Sequence, residues 1–474
     1  MASKPSLARG FTLAVSALLV TPSAAQDWTQ FRGPNGSGIA AEAAPIEFGP
    51  ERNLAWRTPL PPGLSSPIVA SGRVWLTGVE GERPVTLALD AATGKIVWRR
   101  YVGRSRAETL HKLNHAASPS CTVHDGRVVS FFPDFGLVAY TTAGRELWRA
   151  PLGPFNNIYG MGASPVIAGG NVILVVDQSR DSYIAAFDAR TGRMAWRTPR
   201  PEAVSGHSTP IVRRASNGRL VAIAPGSFRM DAYDVETGRA VWWAEGLPSE
   251  MKSVPVIDGG LIYVHGFNTP DNDPGKLVPV APFPDAIASG DADRDGRLSK
   301  QESPRHAAAM FEWWDLNHDG GLDEYEWSQY ALAMKAENGL FVFAIPEAGP
   351  ARLVWKFQRS IPQLPSPLVY RGVVYLINES GVLTLLDAAS GRLHGQSRLR
   401  GVADTYYSSP VAADGKVYIA SHTGVVTVLA AGAEPRVLAA NDLGEEILAT
   451  PALSAGRLFV RTRNTLYCFR GQRM

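Results

Sequence analysis

Asp90-Ala91-Ala92-Thr93-Gly94-Lys95-Ile96-Val97-Trp98 returns as Asp188-Ala189-Arg190-Thr191-Gly192-Arg193-Met194-Ala195-Trp196 and again as Asp234-Val235-Glu236-Thr237-Gly238-Arg239-Ala240-Val241-Trp242. Weaker copies run from Thr142 to Trp148, from Pro346 to Trp355 and from Asp387 to His394. In this phrase the Asp and Thr side chains can bond the turn backbone, and Gly supplies the positive φ needed to enter the next strand. The Trp then falls on an outer strand, where aromatic burial between neighbouring units is worth about 2–3 kcal/mol.

Along the chain, a Ser, Thr or Val followed by proline opens a short β-rich segment eight times, at Pro67, Pro119, Pro165, Pro210, Pro255, Pro367, Pro410 and Pro451. The steps between these prolines are 52, 46, 45, 45, 112, 43 and 41 residues. The segment from Pro367 shows the unit best: apolar alternation of period two, broken by Glu379-Ser380-Gly381, reads as an antiparallel meander. A period near 45 with four strands per unit marks a propeller, because one unit cannot bury both faces of its sheet alone. The expected fold is all-β, an eight-bladed β-propeller of four-stranded antiparallel blades. After Pro451 only three strands remain, whereas Asn53 to Arg57 copies the outer-strand pattern with no blade before it. That N-terminal strand is expected to complete the eighth blade and remove the open edges.

The 112-residue step signals an insertion of about 65 residues in the fifth blade. The chain is accordingly divided into a signal peptide (1–25), a lead-in segment (26–52), propeller (53–267), the insertion (268–338) and propeller again (339–474). Within the insertion, residues 291–302 (DADRDGRLSKQE) and 315–326 (DLNHDGGLDEYE) both match the calcium-loop pattern of an EF-hand. Calcium takes six to eight hard oxygens. In the first loop these come from Asp291, Asp293, Asp295, the carbonyl of Arg297, Ser299 through water, and both oxygens of Glu302. In the second they come from Asp315, Asn317, Asp319, the carbonyl of Gly321, Asp323 and Glu326. Gly296 and Gly320 stand at the bends, and Leu298 and Leu322 fall where paired loops bridge. Residues 304–314 are expected to form one helix serving both loops, a spacing that resembles compact bacterial pairs. From Asp285 to Glu326 eleven acids stand against four bases, a balance of −7. Without the ion, like charges at that density predict disorder of the insertion.

The remaining composition narrows the function. Residues 1–25 read as an export signal, with Lys4 and Arg9, an apolar core from Phe11 to Val20, and Ser23-Ala24-Ala25 before the cut. A periplasmic or secreted location is expected, with no membrane span, and the absence of a cysteine after the cut predicts no lipid anchor. Formal charge is +3, or +1 without Lys4 and Arg9, which argues against nucleic acid as a partner. Cys121 and Cys468 are too few for a disulfide scaffold and are expected to be buried. Three residues before the blade prolines stand His207, Lys252 and Tyr407, with His115, Tyr406 and Arg229 near them. They form the one polar cluster assignable to the mouth of the ring, where a binding groove is expected beside the insertion.

The repeats resemble the pyrroloquinoline-quinone-repeat propellers, which include quinoprotein dehydrogenases and the outer-membrane assembly lipoprotein. The resemblance covers roughly residues 50–474 apart from the insertion, and Trp28-Thr29-Gln30-Phe31-Arg32-Gly33-Pro34 is similar to the lead-in of exported members. A quinone dehydrogenase of this kind implies a calcium-held cofactor, an aromatic floor and often a ring of adjacent cysteines. The two cysteines here are 347 residues apart, and no tryptophan falls on an inner strand. HExxH, CxxC, GxSxG and P-loop motifs are absent from the sequence. The expected role is an exported, calcium-binding scaffold or binding module of the cell envelope, a monomer with two Ca2+ sites and an envelope protein or glycan as partner. The alternative is a pyrroloquinoline-quinone-dependent (PQQ-dependent) alcohol or sugar dehydrogenase.

Overall fold

The structure, a computed structural model, describes residues 27–399, 403–434 and 436–471. The expected signal peptide lies outside them. Eight four-stranded antiparallel units form the ring, spanning 68–101, 122–151, 166–199, 211–245, 256–357, 368–398, 411–442 and 452–470. The eighth unit holds three strands of its own, and Leu54–Pro59 supplies the fourth by pairing antiparallel with Thr465–Arg470, Trp56 opposite Cys468. In blade 5 the second strand, Leu261–Gly266, and the third, Gly339–Ala344, pair directly with Gly266 opposite Gly339, so the insertion loops out of the sheet between them without disturbing its register.

The phasing of blade 2 differs from the sequence reading. Its first strand is Thr122–His124, whereas in blade 1 the first strand Ile68–Ala70 directly follows Pro67. Cys121, not Pro119, therefore stands at the repeat's proline position, and the first two steps become 54 (67 to 121) and 44 (121 to 165). Both cysteines are fully buried.

One residue before that position runs a belt of hydroxyls that joins the blades. The backbone N–H of Ser66 donates to Ser120 Oγ, Ser120 to Ser164, Ser164 to Thr209, Val254 to Ser366, Ser366 to Ser409, Ser409 to Thr450 and Thr450 to Ser66, all at 2.9–3.0 Å. The junction between blades 4 and 5 lacks this link, because Val254 has no hydroxyl to offer.

On the rim, each tryptophan lies on the turn of the following blade. The Trp56 indole N–H donates to Ala91 O, Trp98 to Thr142 O, Trp148 to Ala189 O and Trp196 to Val235 O. The turn glycine sits under the ring: a Cβ on Gly94, Gly192 or Gly238 would approach Trp56, Trp148 or Trp196 to 2.4–2.6 Å. The buried N–H groups of Trp242 and Trp355 have no partner, and blades 4 and 5 differ in that the outer strand carrying Trp242 pairs parallel with Gly349–Pro350.

The lead-in crosses the inner ends of the blades. Trp28 bridges to Val69, Val123 N–H donates to Thr29 O, Arg32 Nη2 donates to Pro367 O, Val212 N–H donates to Asn35 Oδ1, and Ile39–Ala40 pairs with Ala412–Ala413. Arg32 is fully buried, and burial lowers its pKa to about 9.

Candidate functional site

The insertion is built from four short helices, Phe283–Gly290, Arg305–Ala309, Phe311–Trp314 and Glu324–Lys335, around two acidic loops. The single helix expected over 304–314 is two, broken at Met310 (φ −111°, ψ 12°), which lets Phe311 and Trp314 turn inward. Leu298 and Leu322 pair across the loops and are fully buried in a core with Phe311, Trp327 and Tyr330. Around the first loop the carboxylates of Asp291, Asp293 and Glu302 lie within 4.8 Å of one another; around the second, those of Asp315, Asp319 and Glu326 do. Asp295 and Asp323 are not part of these groups.

Backbone amides orient the acids. Asp291 accepts from the N–H groups of Arg294 and Gly296, and Asp315 from those of Asp319 and Gly320, which is where the loop glycines make the bend. Glu302 accepts from the Ser299 hydroxyl and from the N–H groups of Ser299 and Ala292, and these bonds hold its pKa down to about 2. The other residues with an expected ligand role sit in the same loops: Asp295 Oδ1 accepts from Arg297 N–H, Asn317 Nδ2 donates to Asp319, and Asp323 caps the last helix by accepting from Glu326 N–H. Gly321 pairs with Ser299. The Arg297 side chain turns to Asp319.

A contact that sequence reasoning missed joins this unit to the ring. Arg180, on a loop of blade 3, places Nη2 2.7 Å from Asp323 and 2.9 Å from Glu326. Nearby, Asn156 Nδ2 donates to Leu316 O, the Tyr325 hydroxyl donates to Pro201 O, and Val204 and Phe228 pack on the insertion's core. The insertion thus leaves blade 5 and lands on loops of blades 2 to 4. No periodicity or motif marks Arg180; only the fold brings it to Asp323, 143 residues further along the chain.

Under this arch lies a cavity of about 500 Å3, bounded by blade connections on one side and by Met310, Trp313, Trp314 and Met334 of the insertion on the other. His207 and Lys252 line it. Lys252 pairs with Glu250, which also accepts from the Tyr159 hydroxyl at 2.7 Å, and Lys252 Nζ sits 5.3 Å from the Tyr159 ring centroid. Burial first, and the charge of Lys252 second, lower the His207 pKa to about 3, so the imidazole is neutral. Burial also raises the pKa of Tyr159, reinforced by Glu250. Tyr407 is elsewhere: it lines a central cavity of about 160 Å3 together with Lys252, Phe31 and the belt hydroxyls. His115 lines neither cavity and accepts from Ala117 N–H with Nδ1, Tyr406 is fully buried between blades, and Arg229 pairs with Asp231 under the Trp243 ring. The expected mouth cluster is therefore divided, with only His207 and Lys252 beside the insertion.

The sequence family described as outer membrane protein assembly factor BamB matches residues 51–181, 180–276 and 331–472. The chain belongs to this family. The internal stretch left unmatched, 277–330, holds both acidic loops. The outer membrane protein assembly factor BamB of Burkholderia pseudomallei (strain K96243) is 28% identical over 221 residues, 45% of this chain and 53% of that protein. Its Francisella salina counterpart is 27% identical over 147 residues, 29% of this chain and 26% of that protein. The chain thus spans about half the length of the first relative and about a quarter of the second. Among solved structures, BamB from Moraxella catarrhalis superimposes with a TM-score of 0.55 at 12% identity, over 89% of this chain and 99% of that one. The quinohemoprotein alcohol dehydrogenase ADHIIG of Pseudomonas putida HK5 gives 0.56 at 15% identity, over 95% and 81%. At such identities these two likenesses speak for the fold. No helix of the described residues is long and apolar enough to cross a membrane.

Proposed function

We propose that this BamB-family propeller is an exported binding or scaffolding module of the cell envelope whose inserted EF-hand pair is stapled by calcium. The observation that carries the reading is the family match itself, which runs through the ring and stops at the insertion. The relatives are named as outer membrane protein assembly factors, which suggests an envelope protein as partner; a glycan is the other partner class the module reading allows. Asp291, Asp293, Asp295, Arg297, Ser299 and Glu302 would hold one ion, and Asp315, Asn317, Asp319, Gly321, Asp323 and Glu326 the other. The two convergent carboxylate groups support that assignment. Calcium supplies the positive charge that such a set of hard oxygens lacks. An extracellular staple of this type has a dissociation constant of about 10⁻⁴–10⁻³ M.

A quinoprotein dehydrogenase is the competing reading, and the channel residues do not fit the quinone. The central cavity measures about 160 Å3, and Phe31 of the lead-in lines it. Lys252 is the one cation among the described residues that line it and is paired with Glu250, whereas the quinone is a tricarboxylate. The belt hydroxyls already accept backbone N–H groups, and no tryptophan among the described residues lines the cavity. The test is reconstitution of the purified chain with quinone and calcium, followed by dye reduction with alcohols and sugars, beside cross-linking to isolated envelope proteins. One defined cross-linked component with no dye reduction is the expected result. Stoichiometric quinone uptake with turnover would overturn the proposal.

A further inference from the structure

The two acidic loops of the insertion meet different surroundings. In the first, Asp293 is exposed and Asp291 and Glu302 are half-buried; in the second, Asp315 and Glu326 are buried. Glu302 accepts only from Ser299 and backbone amides, and among the described residues no cation pairs with Asp291, Asp293 or Glu302. The second loop has two guanidinium partners. Arg297 pairs with Asp319, and Arg180 of blade 3 places Nη2 2.7 Å from Asp323 and 2.9 Å from Glu326. Because Glu326 is fully buried, its carboxylate needs a paired charge to stay ionised away from water. The ring supplies that charge through Arg180, which is thus a stand-in cation carried by another blade.

The same loop fastens the arch to the ring. Its landing contacts come from Leu316, Asp323, Tyr325 and Glu326, all within residues 315–326. Leu316 O accepts from Asn156 Nδ2 at 2.9 Å, the Tyr325 hydroxyl donates to Pro201 O at 3.0 Å, and the Arg180 guanidinium lies 5.1 Å from the Tyr325 ring centroid. On the ring side the platform is knit together, since Ser179 N–H donates to Asn156 O at 2.6 Å and Asn156 N–H donates to Gln178 Oε1 at 3.1 Å. Asn156 and Arg180 therefore act as one landing surface. A divalent cation drawing on Glu326 and Asp323 would meet a guanidinium bonded to the same two carboxylates; the like charges repel and compete for the same oxygens. Filling the second loop is then linked, with negative sign, to landing of the arch. The first loop carries no such contact and serves as an internal control.

We propose that Arg180 is a calcium-sensitive latch: without calcium it fastens the second loop to blade 3, and an ion entering that loop loosens the arch from the ring above the cavity it covers. The proposal rests on the reading of the two loops as calcium sites and adds the regulation of the second. The test follows amide hydrogen exchange of the full chain, beside calorimetry, as calcium is raised to about ten times the dissociation constant typical of such loops. The first loop is expected to fill first, protecting residues 291–302 and leaving exchange in segments 156–160 and 177–182 unchanged. The second step is expected to speed exchange in both ring segments about tenfold. Hydroxyl-radical labelling of Met334, which lines the cavity and is 2% exposed, is expected to rise with it. In Arg180→Gln the two segments exchange fast without calcium and the second step tightens about fivefold; Arg180→Lys, which keeps the charge but not the fork, falls between. If the second step fills in the unaltered chain while exchange and labelling stay the same, the latch falls and the calcium staple stands. An unaltered second affinity in Arg180→Gln would overturn it equally. Absence of any calcium step at either loop would instead remove the staple reading, and the latch with it.

Discussion

At Gly192 two requirements coincide. Its φ of +72° is a conformation that a Cβ disfavours, and a Cβ there would come within 2.6 Å of the Trp148 ring of the preceding blade. Gly170 has a similar φ of +79° but open space around it. Gly170→Ala is therefore expected to cost only the backbone term, about 1–2 kcal/mol, and Gly192→Ala that plus overpacking, about 2–4 kcal/mol. Denaturant midpoints of the two variants check the difference. The turn role of the glycine was legible in the repeated phrase, but its place under a neighbour's tryptophan was not, since that contact joins different blades. His265 makes a second test. It is fully buried, its Nε2 lies 2.7 Å from Pro365 O, and burial lowers its pKa to about 4. Because the folded state resists the proton that the unfolded chain takes up near pH 6.5, stability falls as pH drops from about 6.5 towards 4. The slope from this one group is about 1.4 kcal/mol per pH unit, and His207 adds to it with the same sign. His265→Gln is expected to flatten the acid limb of a urea-midpoint profile; an unchanged slope would exclude this source.

The two acidic loops of the insertion were legible in the sequence, because the spacing of their carboxylates is local and needs no tertiary knowledge. Adding calcium at about ten times its dissociation constant is expected to stabilise the chain by about 1.4 kcal/mol per site, seen as a higher melting temperature. Unchanged melting and far-UV dichroism across a calcium titration would count against the staple. What the local pattern could not show is Arg180, whose guanidinium sits between Asp323 and Glu326 of the second loop. It pairs with acids that the proposed ion would use, so ion and guanidinium would compete for Glu326. Arg180→Gln is expected to tighten the second calcium step several-fold and to leave the first unchanged, as read by calorimetry. The break at Met310 was also beyond sequence reading, because apolar residues on both sides continue a helical pattern and only packing of Phe311 and Trp314 against the loops decides it.

The closed ring has one atypical seam. Between blades 4 and 5 the hydroxyl belt is interrupted at Val254, and the outer strand of blade 4 pairs parallel with Gly349–Pro350. The insertion starts in blade 5 and anchors on loops of blades 2 to 4, so it spans this seam from above. Val254→Thr keeps the branched shape and offers an oxygen to the Thr209 N–H; an eighth belt link is expected to raise stability by about 0.5–1.5 kcal/mol, measured by denaturant midpoint. The repeat, its count of eight, the closing strand and the acidic loops all follow from the order of residues, because turn glycines, alternation and ligand spacing act over a few positions. The phase of blade 2 does not, since Pro119 imitates the repeat signal two residues early and only strand pairing shows Cys121 in its place. Nor does the roofed cavity. Ser205 and His207 stand on the connection between blades 3 and 4, Asn268 where the insertion leaves blade 5 and Trp314 within the insertion, and they line one cavity only because the ring brings blade loops to one mouth while the insertion folds back across it.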